Sequence, residues 1–163
     1  MSPDIEIIGD GCAALSLAAR ASELNHNIRL IKPSNAPTTN DHVWGFWSDP
    51  ILADAQQLAR ATWQKWAIIT HNDCAVLSSE TRPYNAFKRS DWSEHCKGLA
   101  ELSKVTIVAE HEWEKSADSL LFDTRPPVVP DDCMLQHFQG IEVKTKQPCF
   151  DKDMAILMDF RVD

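Results

Sequence analysis

Hydrophobic positions are most regular at the start of the chain. Ile5-Glu6-Ile7-Ile8 is a short β-branched run that stops at Gly9, which predicts a buried strand. Ala14, Leu17, Ala18, Ala21 and Leu24 then recur at helical spacing, and the helix should end near Asn25-His26-Asn27. Ile28 to Ile31 predicts a second strand, closed by Pro33. Strand, Gly-rich turn, helix and strand within about thirty residues is the size of one βαβ unit. Residues 33–50 read as a long connection carrying the aromatic cluster Asp41-His42-Val43-Trp44-Gly45-Phe46-Trp47. A short helix is expected over 51–61, then paired strands over Trp63–His71 and Cys74–Ser78 turning at Asn72-Asp73. Ser90 is a natural N-cap for a helix from Asp91 to about Ser103. Val105–Val108 and Leu120–Phe122 are short apolar strands, and Arg125-Pro126-Pro127 breaks regular structure. Cys133–Lys144 and Met154–Val162 read as two longer strands. No internal repeat or linker is visible.

This order predicts one α/β domain over 1–163, with a nucleotide-type core at about 4–32 and 104–125. Its core strands would be 4–9, 27–32, 104–108 and 119–123, the first two adjacent and parallel. A mostly antiparallel layer, from about 63–79 and 133–162, would be inserted.

Composition narrows the function classes. The 163 residues are 44% hydrophobic and 25% charged with 5 Gly and 9 Pro, which excludes disorder and collagen-like fibres. A net charge of −8 without a basic cluster argues against nucleic acid as a partner. No window approaches the roughly 18 apolar residues of a spanning helix. Cysteines at 12, 74, 96, 133 and 149 are odd in number and form no C-x-x-C pair, so neither a disulfide framework nor a zinc site is expected. The Met-Ser-Pro-Asp start lacks the basic and apolar regions of a signal peptide, so a cytoplasmic location is expected. Of 6 tryptophans, Trp44, Trp47, Trp63 and Trp66 share one stretch, as a core or a ligand pocket would require.

The turn Gly9-Asp10-Gly11-Cys12-Ala13-Ala14 follows a strand and opens a helix, the context a dinucleotide fingerprint requires. Gly9 would permit the tight turn, Gly11 the close approach of backbone to a pyrophosphate, and Ala14 close helix–strand packing. An ordinary strand–turn–helix packed with small residues fits the same positions. Asp10 would repel phosphate unless it points outward. Lys32 closes the second strand where an Asp or Glu normally accepts from the adenosine ribose, and lysine only donates, although it can attract a phosphate.

With these residues in place, the chain resembles the N-terminal part of the lycopene β-cyclases, flavoproteins of carotenoid biosynthesis, from Ile5 to Asp163. Beside the generic glycine turn, DHVWGFW at 41–47 is similar to the family's N-H-x-W-x-F, with Asp41 in place of Asn. LLFDTRPP at 120–127 resembles its D-x-R strand end. LQHFQGIEVKT at 135–145 and ILMDFRVD at 156–163 resemble its paired Q-x-F-x-G-x-E and M-D-x-x-V-D segments. The resemblance implies a Rossmann-like FAD/NAD(P)-binding domain, truncated at its C-terminus. FAD would be held through Gly9, Gly11 and Ala14, with Lys32, His42, Asp123 and Arg125 as further cofactor contacts. It also implies isomerase chemistry, a redox-neutral closure of the ends of lycopene or a related linear carotenoid. Reduced flavin would stabilise a cationic intermediate, with NAD(P)H as reductant. The family's acid/base motif lies downstream of the M-D-x-x-V-D strand, so no catalytic residue is expected here and the chain alone should be inactive. Peripheral contact with the inner face of the cytoplasmic membrane fits such a substrate.

Other assignments compete. The FAD domain of a hydroxylase or isoprenoid reductase is one alternative, against which the 41–47 and 156–163 segments favour the cyclase; a non-catalytic remnant, which Lys32 favours, is another. His42 is a contact for flavin or substrate, or one end of an aromatic loop docked on the core. Asp123 and Arg125 contact the cofactor or form a plain ion pair. Glu110, His111, Glu112 and Glu114 suit a solvated edge better than a metal. His95 and Cys96 are neighbours on one helix and cannot form a dyad by spacing. Cys12 sits where a thiol pKa can fall, but a small residue in a tight turn explains it. No G-x-S-x-G, P-loop or His-x-x-x-His pattern occurs.

Overall fold

The computed structural model describes residues 3–35, 40–128, 130–134 and 140–161. In chain order the elements are β1 (Ile5–Ile8), α1 (Cys12–Ala19), α2 (Ala21–Leu24), β2 (Ile28–Lys32) and β3 (Val43–Trp47). After a 3₁₀ turn at Pro50–Leu52 come α3 (Ala53–Gln57), β4 (Ala61–Trp63), β5 (Lys65–Ile69), β6 (Cys74–Ser78) and β7 (Tyr84–Lys88). Then follow α4 (Arg89–Leu102), β8 (Thr106–Ala109), a 3₁₀ turn at Glu110–Glu112, β9 (Leu120–Asp123) and β10 (Met154–Asp159). The described residues group into two compact units, one within 1–41 and 89–137, the other within 42–88 and 138–163.

The first unit is a four-stranded sheet in the order β8-β2-β1-β9. Every pairing is parallel, and Ile5–Ile8 lie opposite Ile28–Ile31 as expected. Counted within the unit the order is third, second, first, fourth, that of half a Rossmann sheet. Ile7 and Ile31 are fully buried, and each stabilises the fold by about 2 kcal/mol through burial. Near-continuous apolar runs in β1 and β2 fit central parallel strands covered on both faces. The expected helix divides at Arg20 into α1 and α2 and ends at Asn25 in the left-handed region. Its buried face is small, chiefly Ala14 and Ala18, which lets α4 pack closely against α1. Trp92 Nε1 fixes that contact by donating to Ser16 Oγ at 2.9 Å. Ser90 lies inside α4 rather than capping it. Its N–H and hydroxyl both donate to the Asp41 carboxylate, at 3.0 and 2.9 Å, so Asp41 supplies the acceptor.

Glu6 is a fully buried carboxylate in the middle of β1. It accepts from Ser119 Oγ at 2.6 Å, Trp113 Nε1 at 2.9 Å, Ser116 N at 3.1 Å and Arg29 Nη1 at 3.2 Å. Burial alone would raise its pKa, but these hydrogen bonds and the Arg29 charge outweigh it and hold the carboxyl below its ordinary value. Glu6 thereby ties the segment before β9 to the sheet.

The second unit has two three-stranded sheets, β3-β7-β4 and β10-β5-β6. All pairings are antiparallel except β10 with β5, which is parallel, so the layer is mostly antiparallel as expected. Three expectations need correction. The aromatic stretch is strand β3, not a connection: Trp44 and Phe46 alternate with the more exposed Val43, Gly45 and Trp47. The run from Trp63 divides at Gln64, so that Trp63 ends β4 in one sheet and Lys65 starts β5 in the other. Cys133–Lys144 is not a strand in its described residues. Cys133, Met134 and 140–144 carry no pairing partner, and Ile141 and Val143 stay exposed; 135–139 and 162–163 lie outside the described residues. Strand β7 was not anticipated because its buried face holds Asn85 beside Phe87. Asn85 is satisfied by donating to Ser48 Oγ (2.8 Å) and Pro83 O (3.0 Å) and accepting from Thr62 Oγ1 (2.8 Å).

Candidate functional site

Two glycines of the β1–α1 turn play different parts. Gly9 has φ +142°, and a Cβ there would collide with Thr124 Oγ1 and press on the Ala14 methyl at 3.1 Å. Its N–H donates to Ile31 O at 3.0 Å, while Thr124 N and Oγ1 both donate to Ile8 O, at 2.9 and 2.8 Å. The turn is thus stitched to β2 and β9, and Gly9 serves the protein itself. Gly11 is different. Its φ of −85° is open to any residue, and a Cβ would meet nothing within 4 Å. The space over Gly11 is open, and among the described residues no side chain caps α1, so its first N–H groups have no partner from a capping side chain. Such a terminus attracts an anion. Asp10 lines a separate cleft of about 720 Å³ with Arg89, Ser93, Glu94 and Lys97 of α4. Arg89 is a cation near the turn that sequence reading passed over.

The carboxyl ends of all four strands meet at one edge of this sheet. Lys32 ends β2 and is exposed, and its side chain makes no hydrogen bond or ion pair among the described residues. Asp123 ends β9 and holds Arg125 bidentately, Oδ1 accepting from Nε at 2.9 Å and Oδ2 from Nη2 at 2.6 Å. The Arg125 hydrogen bonds keep the Asp123 carboxyl below its ordinary value, and Asp123 in turn raises Arg125. Arg125 Nη1 also donates to Glu110 Oε1 at 2.9 Å, and Ser34 N donates to Glu110 Oε2 at 2.9 Å. Glu110, one residue past β8, therefore joins the ends of β2, β8 and β9. Sequence reading placed it in an acidic run and missed it, because its partners are 76 and 15 residues away.

Of the predicted site residues, the structure brings Gly9, Gly11, Ala14, Lys32, Asp123 and Arg125 together in the first unit. His42 belongs to the second, where its Nε2 accepts from Trp44 Nε1 at 2.7 Å. That unit carries an apolar cleft of about 720 Å³ lined by Val43, Gly45, Trp63, Tyr84, Phe150 and Ile156. A Cβ at Gly45 would strike Tyr84 Oη, so this glycine makes room for the ring. Tyr84 stacks on Trp63 at 6.2 Å and meets Trp47 edge-on at 5.0 Å, and burial pushes its phenol pKa up. Among the described residues no His/Cys/Asp/Glu group could hold a metal.

A parallel sheet in Rossmann order, with an open glycine turn at its switch point, defines a Rossmann-like domain of the FAD/NAD(P)-binding fold class. Solved structures agree on that fold. A 2-methyl-3-hydroxypyridine-5-carboxylic acid oxygenase superposes with TM-score 0.51 at 19% identity, over 64% of this chain and 30% of its own. The p-nitrophenol 4-monooxygenase of Pseudomonas putida DLL-E4 does so with TM-score 0.51 at 11% identity, over 65% and 31%. The chain thus spans about a third of the length of the solved structures it matches. None of the curated protein sequences compared with it matches. The chain belongs to the lycopene cyclase protein family, whose profile matches residues 4–163.

Proposed function

We propose that the protein binds FAD through Gly9, Gly11 and Ala14, with Asp123 and Arg125 at the same edge. In the whole protein it closes the ends of lycopene, or a related linear carotenoid, into β-rings without net oxidation. The observation that carries this reading is the open Gly11 at an uncapped helix N-terminus, in a chain of the lycopene cyclase family. The Gly9 stitch and the buried Ala14 shape a cradle that a side chain at Gly11 would fill, which fits the diphosphate of a dinucleotide. Reduced flavin, regenerated by NAD(P)H, would supply electron density to stabilise positive charge on the closing chain. The apolar cleft beside Trp63 and Tyr84 is the natural wall for a polyene end. Peripheral membrane contact would deliver so apolar a substrate; no helix among the described residues is long and apolar enough to cross a membrane.

Because residues 1–163 correspond to about a third of the solved relatives, we expect them to be inactive in isolation. Cyclisation needs an acid within reach of the reacting carbon and a tunnel closed on all sides. Two measurements test the proposal. Purified protein should take up FAD and show its absorbance spectrum; failure to do so at any FAD concentration would favour a remnant without cofactor. A lycopene-accumulating bacterial strain expressing residues 1–163 should form no cyclic carotenoid. Any β-carotene or monocyclic product above the empty-vector background would overturn the expected inactivity.

A further inference from the structure

The dinucleotide reading leaves one place unfilled. The last residue of the second strand should accept hydrogen bonds from the adenosine ribose, and here it is Lys32, which has no acceptor. The geometry points to Glu110 as the ribose acceptor, supplied from the end of the neighbouring strand β8 instead of from β2; this rests on the dinucleotide reading above.

Three observations carry it. Ala109 is the register partner of Lys32, so Glu110 continues the edge one residue beyond the position that lacks an acid. Its carboxylate is drawn back over that edge, because Oε2 accepts from Ser34 N in the segment after β2. On the other side, Oε1 accepts from Arg125, which follows β9. Strands β8 and β9 are three strand spacings apart in this sheet, about 14 Å, so the Glu110–Arg125 pair reaches across the ends of β2 and β1. The carboxylate therefore lies against the segment that follows β2, on the side that Arg125 reaches from β9, and there it could meet a ribose bound at the β2 end. A carboxylate accepts about four hydrogen bonds. Two are in use among the described residues, which leaves acceptor capacity for a pair of hydroxyls. Arg125 and Ser34 hold the group in place from opposite sides, so little side-chain freedom is lost when a ligand arrives. The same negative charge would repel a 2′-phosphate, whereas an acceptor-free edge with only Lys32 would attract one.

The test uses the 163-residue chain with ADP, 2′-deoxy-ADP and adenosine 2′,5′-bisphosphate as probes, read by calorimetry. Native protein should bind ADP about tenfold more tightly than 2′-deoxy-ADP, the scale of one charged hydrogen bond, and should bind the bisphosphate more weakly than ADP. Glu110→Ala should abolish the ADP preference while 2′-deoxy-ADP binding changes by less than about twofold; Lys32→Ala should leave the preference intact. If Glu110→Ala weakened both nucleotides equally, Glu110 would act only by positioning Arg125 and the inference would fail. A native preference for the bisphosphate that Lys32→Ala removes would overturn it in favour of Lys32. Parallel titrations with FAD and NADH show which dinucleotide brings the ribose. If native protein bound none of these nucleotides, the dinucleotide reading itself would fall, an outcome distinct from loss of discrimination alone.

Discussion

Two Asp-x-Arg turns close two strands of this molecule, one in each unit, and they are hydrogen-bonded alike. Asp123 Oδ1 accepts from Arg125 N at 3.0 Å and Nε at 2.9 Å, with Nη2 on Oδ2 at 2.6 Å. Asp159 Oδ1 accepts from Arg161 N at 3.1 Å and Nε at 2.9 Å, with Nη2 on Oδ2 at 2.7 Å. The repetition shows that the turn is a local property of the tripeptide, since a short acid two residues before an arginine can hold both its N–H and its guanidinium. What differs is the setting. Arg125 spends its remaining nitrogen on Glu110 at the edge beside Gly9, whereas Arg161 pairs with Asp159 alone among the described residues. A D-x-R motif is therefore weak evidence of a ligand, and the strand ends gathered around it are the stronger.

The sharpest way to break this contrast is through the glycines of the same edge. Gly9→Ala should cost about 3 kcal/mol or more, from a left-handed φ that L side chains avoid and from overlap with Thr124. Gly11→Ala should move the melting midpoint hardly at all, a change under about 0.5 kcal/mol, yet weaken FAD binding roughly tenfold by filling the cradle. Chemical denaturation and flavin titration of both variants would show the split. Equal stability losses would mean that Gly11 is a packing residue after all.

A smaller effect separates the two arginines. Arg125→Ala should lower affinity for FAD or ADP about tenfold, because it removes a cation and frees Glu110 from its station. Arg161→Ala should leave nucleotide affinity unchanged. Both side chains are exposed, so neither change should alter stability much. Equal losses of nucleotide affinity in the two variants would contradict the assignment of the site to the first unit.

How far the sequence alone could reach follows from where each signal lies. The βαβ start was legible because its signals are local: a β-branched run, small residues at helical spacing, and a second run. The glycine turn was legible for the same reason. Strand β3 was hidden by Gly45, whose purpose is to admit the Tyr84 ring from a strand almost forty residues on. Strand β7 was hidden by Asn85, a polar residue whose burial is tolerable only because Thr62 and Ser48 reach it across the sheet. Glu110 failed to stand out because both of its partners come from other strand ends. Cys133–Lys144 alternated well enough for a strand, but a strand also needs a neighbour, and alternation says nothing about one. Residues whose meaning depends on a remote partner escaped the reading.

The smallest expected effect is a difference in acidity between the paired aspartates. Hydrogen bonds from Arg161 hold Asp159 at a pKa of about 2, with its charge and that of His71 adding to the attraction. Asp123 is lowered too, again chiefly by hydrogen bonds from its arginine. An exposed carboxylate in an unfolded chain titrates near 3.9. In both cases the folded value lies below the unfolded one, so the stabilising contribution is complete above about pH 4 to 5 and fades as pH falls through the folded pKa. For Asp159 that loss should run from about pH 4 down to about pH 2. Carboxyl NMR titration should therefore find Asp159 ionised well into acid, and Arg161→Ala should return it towards the ordinary value. Arg125→Ala should do the same for Asp123. Nucleotide binding then sharpens the contrast: a diphosphate drawing on Arg125 would compete with Asp123 and let its pKa rise, while Asp159 stays where it was. If ligand moved neither carboxyl, Arg125 would not be sharing its charge with the nucleotide, and the two turns would be equivalent in function as well as in geometry.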